Sequence, residues 1–113
     1  MSSPEISVQQ LRQLIDQFSA DTLQLVDVRE QAELEIARLP GFRHYALSDY
    51  EQWSGQIPAE LDPARPVYVI CHHGMRSAQM VGWLQQQGYT QATNIIGGIH
   101  AWSVQVDPSL PQY

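Results

Sequence analysis

The sequence predicts an α/β domain in three layers, with a central, mostly parallel sheet flanked by helices. Three observations lead there. Short β-branched, apolar runs at residues 23–28, 67–70 and 93–96 alternate with segments whose apolar residues recur at helical spacing. Helical segments rather than tight hairpin turns join one run to the next, which is the connection that parallel strands require. Finally, 113 residues with 43% apolar side chains, spread along the chain, can bury a core without disulfide or metal staples. Residues 1–113 are therefore expected to form a single domain, with a core at about 6–105 and an extended tail at 106–113.

Ser7 is the expected N-cap of the first helix. Gln10, three residues on, completes a capping box, and Ile6 and Leu11 are placed as a hydrophobic staple. Val8, Leu11, Leu14, Ile15 and Phe18 share the apolar face. Residues 23–28 form a strand ending at Arg29-Glu30, and a short helix through Ala32, Leu34 and Ile36 runs to the break at Pro40-Gly41. Residues 43–47 read as a weaker strand, and Ser48 as the cap of a short helix carrying Tyr50 and Trp53. Pro58, Pro63 and Pro66 mark a long connection. The clearest strand is 67–70, bounded by Pro66 and a glycine-containing loop. The following helix opens near Arg76 and Ser77; Ala78, Met80, Val81 and Leu84 lie on the face of Ser77, Gln79 and Gln86 point away, and Gly88 stops it. A strand at 93–96, a Gly97-Gly98 turn and a helix at 99–104 complete the domain, and Pro108 and Pro111 keep the tail extended.

Twelve acidic residues against six arginines and no lysine give a net charge of −6, which argues against sequence-independent nucleic-acid binding. A single cysteine excludes an internal disulfide. Residues 1–5 carry neither a basic region nor an apolar one, and no stretch approaches membrane-spanning length, so a soluble cytoplasmic setting is expected.

That one cysteine lies where such a fold places ligands, at the carboxyl end of a strand. The run Cys71-His72-His73-Gly74-Met75-Arg76-Ser77 joins the strand to a helix N-terminus. A free thiol is mostly protonated at neutral pH, and the thiolate is the nucleophile. The helix end supplies partial positive charge through unpaired N–H groups. Gly74 lets the loop turn so that its amides point inward as a nest for an anion, and Arg76 adds a permanent cation. Cys71 is thus read as a nucleophile that carries a second anionic group.

The loop resembles the active-site pattern of the rhodanese family, Cys-x-x-Gly-x-Arg-Ser. Three further segments resemble that family in the same order: Asp27-Val28-Arg29 after a core strand, the Pro40-Gly41 turn, and Gly97-Gly98-Ile99-His100-Ala101-Trp102 near the end. One departure is Ala37-Arg38-Leu39, where many rhodaneses read Gly-His-Ile. The resemblance implies a sulfurtransferase in which a donor such as thiosulfate or a persulfide leaves its outer sulfur on Cys71. A thiophilic acceptor, cyanide or a thiol, then removes it. It further implies that the amides of His72, His73, Gly74, Met75, Arg76 and Ser77 hold the persulfide. Protein tyrosine phosphatases place five residues between Cys and Arg, whereas four separate Cys71 from Arg76, a tighter loop that suits a persulfide better than a phosphate. The alternative is a sulfur-relay or binding module acting with a protein donor or acceptor.

Asp27 and Arg29 are expected near the site, and a structural ion pair is the favoured reading for them. His72 and His73 are placed to line the mouth, where in protonated form they would attract a dianionic donor. They also invite a metal reading, but no second Cys/His cluster exists and His44 and His100 are distant in sequence, so neither a metal nor another cofactor is expected. Met75 reads as a pocket wall or specificity element, Trp102 as packing beneath the loop, and Trp83 as partly exposed.

Overall fold

The computed structural model describes residues 4–113. Its strands are β1 (Glu5–Ile6), β2 (Gln24–Asp27), β3 (Arg43–His44), β4 (Val67–Ile70) and β5 (Ala92–Ile95). Its helices are α1 (Val8–Phe18), α2 (Gln31–Ile36), α3 (Tyr50–Trp53), α4 (Ile57–Glu60), α5 (Met75–Gln86) and α6 (Gly98–Gln105). The strands form one sheet in the order β1-β5-β4-β2-β3, and every neighbouring pair is parallel. The α/β expectation holds, with a sheet that is wholly rather than mostly parallel.

Alternation along the strands divides the core between the two faces. Val26, Val67, Val69 and Ala92 pack with Met80, Val81 and Leu84 of α5 and with Trp53 and Ile57. Leu25, Ile70 and Ile95 pack on the other face with Val8 and Leu11 of α1 and Ile99 and Trp102 of α6. The register sets Asp27 beside Ile70 and Val69 beside Asn94. The carboxyl ends of β2, β4 and β5 are therefore level, and residues 27–29, Cys71 and Asn94 meet at one edge.

The capping box of α1 forms as expected: Gln10 N–H donates to Ser7 Oγ at 3.1 Å, and Ser7 N–H to Gln10 Oε1 at 3.0 Å. Phe18 does not join the apolar face; α1 ends there and half of its surface is exposed. The strand expected at 43–47 stops after His44, because the chain enters a 3-10 turn at Leu47–Asp49 and Trp53 Nε1 claims the Ala46 carbonyl, 2.6 Å away. Ser48 consequently does not cap α3. Asp49 occupies that position, and Ser48 Oγ donates to Glu30 instead. The connection marked by prolines contains α4, with Pro58 in its first turn, the position where a missing N–H is harmless. On α5, Ala78 is exposed, while Ser77, Met80, Val81 and Leu84 are buried. Trp83 is half-buried and meets Tyr50 and Trp53 edge-on at 5.6 and 5.5 Å.

Residues 106–113 depart most from expectation. They are not simply extended: Asp107 Oδ1 accepts from Ser109 N–H at 3.1 Å, Leu110 packs against the face of α1 and α6, and Tyr113 returns to the carboxyl edge of the sheet. No helix among the described residues is long and apolar enough to cross a membrane.

Candidate active site

Strand β4, paired on both sides, ends at Ile70 and holds Cys71 at 1% exposure. Gly74 has φ +112°, a left-handed conformation that side chains rarely adopt, and this turns its N–H back to donate to Cys71 Sγ at 3.0 Å. Helix α5 begins at the next residue, so the positive end of its dipole lies beside the sulfur. One turn on, the buried Ser77 sets Oγ 3.3 Å from Sγ and donates to Asn94 Oδ1 at 2.5 Å. Asn94, on β5, donates from Nδ2 to the Gly74 carbonyl at 3.1 Å. With its amide nitrogen committed there, Asn94 must present oxygen to Ser77. The Ser77 proton rests on Asn94 while Sγ is a thiol, and it can rotate toward Sγ when the sulfur is ionised.

The first turn of α6 closes the loop from the other side. Ile99 N–H donates to the Cys71 carbonyl at 2.9 Å, and His100 N–H to that of His72 at 3.1 Å. These are amides that a helix start leaves free. The approach requires Gly98: a Cβ there would lie 2.3 Å from the Cys71 oxygen and 2.5 Å from that of His72. Trp102 is buried further along α6, as expected of a packing residue.

Asp27 and Arg29 form a buried ion pair. Arg29 Nη2 lies 2.8 Å from Asp27 Oδ2, and Nε donates to Oδ1 at 3.0 Å. Neither residue hydrogen-bonds residues 71–77 among the described residues. Arg29 Nη1 instead donates to the Glu33 carbonyl at 3.3 Å and to the Tyr113 hydroxyl at 3.0 Å. Arg76, anticipated as a cation favouring charge on Cys71, is engaged by Glu33 through two bonds of 2.6 and 2.9 Å. The Arg76 guanidinium holds the Glu33 carboxyl down at about 2, and the carboxylate in turn pushes Arg76 further up. Arg76 thus fastens the start of α5 to α2.

The histidines behave differently from one another. His72 is half-buried and stacks on the Tyr113 ring, centres 3.9 Å apart and planes 10° from parallel. Burial, then the neighbouring His73, pulls its pKa below the ordinary histidine value, so it is no standing positive charge at pH 7. His73 is exposed, and so is Met75, at 81%. The distance of His100 in sequence does not keep it away: its ring centre lies 5.0 Å from that of His73 and 6.2 Å from that of His72.

Glu33, Asn94, Gly98, His100 and Tyr113 complete this edge; the sequence marked Gly98 and His100 only as part of the family-like 97–102 segment and gave Glu33, Asn94 and Tyr113 no place in the site. Asn94 left one signal, a buried polar residue in a short strand where asparagine is disfavoured. Glu33 and Tyr113 left none, since each is an ordinary surface residue type, whereas His100 lay in the family-like 97–102 segment and was set aside as a ligand because of its distance in sequence.

A profile of the rhodanese-like domain matches residues 7–105. The chain is 44% identical over 110 residues to the rhodanese-like/PpiC domain-containing protein 12, chloroplastic, of Arabidopsis thaliana, covering 96% of this chain and 37% of that one. It is 34% identical over 102 residues to a putative sulfur carrier protein of Bacillus subtilis, covering 90% and 52%. It thus spans between about a third and about half the length of these curated relatives. Among solved structures, the human single-domain sulfurtransferase TSTD1 superposes with TM-score 0.69 at 25% identity, covering 92% of this chain and 98% of that one. A rhodanese-like domain protein of Staphylococcus aureus superposes with TM-score 0.70 at 26% identity, covering 97% and 98%.

Proposed function

The chain belongs to the rhodanese-like domain family, and from that premise we propose that it moves a sulfane sulfur from thiosulfate or a small persulfide to cyanide or a thiol through a persulfide on Cys71. The observation that carries this reading is the set of groups around one sulfur atom. Gly74 N–H bonds Sγ at 3.0 Å, Ser77 Oγ lies 3.3 Å away, and a helix begins alongside. Gly74 N–H and the helix start face the sulfur before any donor arrives, and the Ser77 hydroxyl can turn its proton from Asn94 to join them in stabilising negative charge there.

The Cys71 thiolate attacks the outer sulfur of thiosulfate. The new S–S bond forms as the old one breaks, and sulfite leaves with the bonding electron pair. The charge now sits on the outer sulfur, about 2 Å beyond Sγ. A cyanide or thiolate acceptor attacks that sulfur, and Cys71 departs as the thiolate held by Gly74 and Ser77. Splitting the transfer in two lets the donor and acceptor meet the same sulfur atom in turn.

Intact mass spectrometry of the reduced protein tests the proposal. Treatment with thiosulfate should add one sulfur, and cyanide should remove it with release of thiocyanate. Reversal decides the matter, because oxidation to a sulfinic acid adds nearly the same mass and is not reversed by cyanide. No gain with either thiosulfate or a small persulfide would overturn the free-standing reading. The relative named as a putative sulfur carrier motivates the second reading, a relay module. Loading of Cys71 only when a protein persulfide donor is supplied would decide for it.

A further inference from the structure

Three histidines converge where the sequence showed only an adjacent pair. One ring nitrogen from each of His72, His73 and His100 lies within 4.8 Å of the other two. Their ring centres are 4.0, 5.0 and 6.2 Å apart. A tetrahedral zinc ion with Zn–N bonds of about 2.0–2.1 Å would set imidazole centres about 5 Å apart, a spacing the observed triangle brackets. The exposed His73 has room to rotate and even it out.

Two independent observations point the same way. His72 Nε2 is buried and has no hydrogen-bond partner, a state that calls for an ion or a water. The two segments that supply the ligands are also bonded to each other, since His100 N–H donates to the His72 carbonyl at 3.1 Å. The ligand backbones are therefore held together before any ion binds. The nearby Arg76 is neutralised by Glu33, so it does not repel a cation with a free charge.

The donor set defines the class of ion. Three imidazoles without a carboxylate suit zinc, copper or nickel and do not suit magnesium or calcium. Three protein ligands also leave a fourth position open. We propose that His72, His73 and His100 bind a divalent transition ion of the zinc type on the Cys71 loop. The proposal is independent of whether Cys71 carries sulfur.

The experiment is calorimetric titration of zinc chloride into the protein, reduced with a phosphine rather than a thiol. Wild type should take up one zinc per chain, and Cys71→Ser should bind equally well. His73→Ala and His100→Ala should each weaken binding at least about tenfold, because loss of a ligand costs no less than the 10–100-fold seen for its supporting groups. His73 is exposed, so that variant folds even if His100→Ala does not. Absence of binding in wild type, wild-type affinity in His73→Ala, or loss of binding in Cys71→Ser would each overturn the proposal, the last by assigning zinc to the thiolate. Cobalt absorption in Cys71→Ser gives a second readout: a tetrahedral spectrum that disappears in Cys71→Ser/His73→Ala is expected, and one that persists there overturns the assignment.

Discussion

Ser77 and Asn94 set a hydroxyl against the buried Cys71 sulfur. In Cys71→Ser the new hydroxyl can still accept from Gly74 N–H, so the fold should survive and sulfur transfer should vanish. Thermal unfolding and thiocyanate release check the two halves; measurable turnover would end the persulfide mechanism. Ser77→Ala asks a finer question. It removes the hydroxyl 3.3 Å from Sγ while Gly74 remains. Losing a donor that touches a developing oxyanion costs about 10²–10³ in rate, and charge on the larger sulfur is less sharply localised, so about tenfold slower turnover is expected. An unchanged kcat/KM for thiosulfate would show that the hydroxyl only packs. At this scale the sequence was legible for Cys71, Gly74 and Ser77 because strand end, turn and helix start are contiguous. Asn94 was not, because its part depends on a strand pairing with β4 that no local pattern records.

Single elements act here mostly by holding another element's end. Helix α6 donates its first amides to the Cys71 loop across Gly98. Gly98→Ala would drive a methyl carbon onto two carbonyl oxygens that cannot give way cheaply, so the loop must move. Transfer should fall at least about tenfold, with stability lower by about 1–3 kcal/mol as backbone strain and the loosened loop add up; normal kinetics would show that the loop tolerates the shift. Helix α2 holds the other side through Glu33 and Arg76. The Glu33 carboxyl is at about 2 in the fold against 4.5 ordinarily, so the unfolded chain takes up its proton first. Its stabilisation is complete above pH 4.5 and is lost as pH falls toward 2. Glu33→Gln keeps an oxygen for the Glu30 N–H of the α2 capping box but removes the charge. Wild type should therefore melt higher at pH 7 and converge with the variant near pH 2. Parallel melting curves at both pH values would remove the ion pair from the account. The order of strands and helices was legible from periodicity. The two-residue β1 and the four-residue α4 were not, since tertiary bonds rather than propensity make elements this short.

Across the whole molecule, the fold gathers residues 27–33, 71–77, 94–100 and 113 on one edge, and the last of these draws the chain back over the site. Four landmarks in family order made the edge legible, but the return of Tyr113 had no pattern to announce it, because prolines at 108 and 111 read as extension. Tyr113 does three things at once: its hydroxyl accepts from Arg29 Nη1, donates to Glu33 Oε2 at 2.7 Å, and its ring stacks on His72. Since Arg29 is buried and Glu33 holds Arg76, the hydroxyl joins the ion pair of β2 to the one that fastens α5. Tyr113→Phe separates these contributions, because the ring and its stack remain. A hydrogen bond to a charged group contributes about 1.5–3 kcal/mol when buried. Tyr113 is 36% exposed, so water replaces part of it and about 1 kcal/mol is expected. That loss lowers Tm by about 4 °C in a domain of this size. Tyr113→Ala should lower it further by releasing the His72 stack. If Tyr113→Phe melts with wild type while Tyr113→Ala does not, the ring alone secures residues 106–113; if neither variant shifts, the segment does not rest on the site in solution.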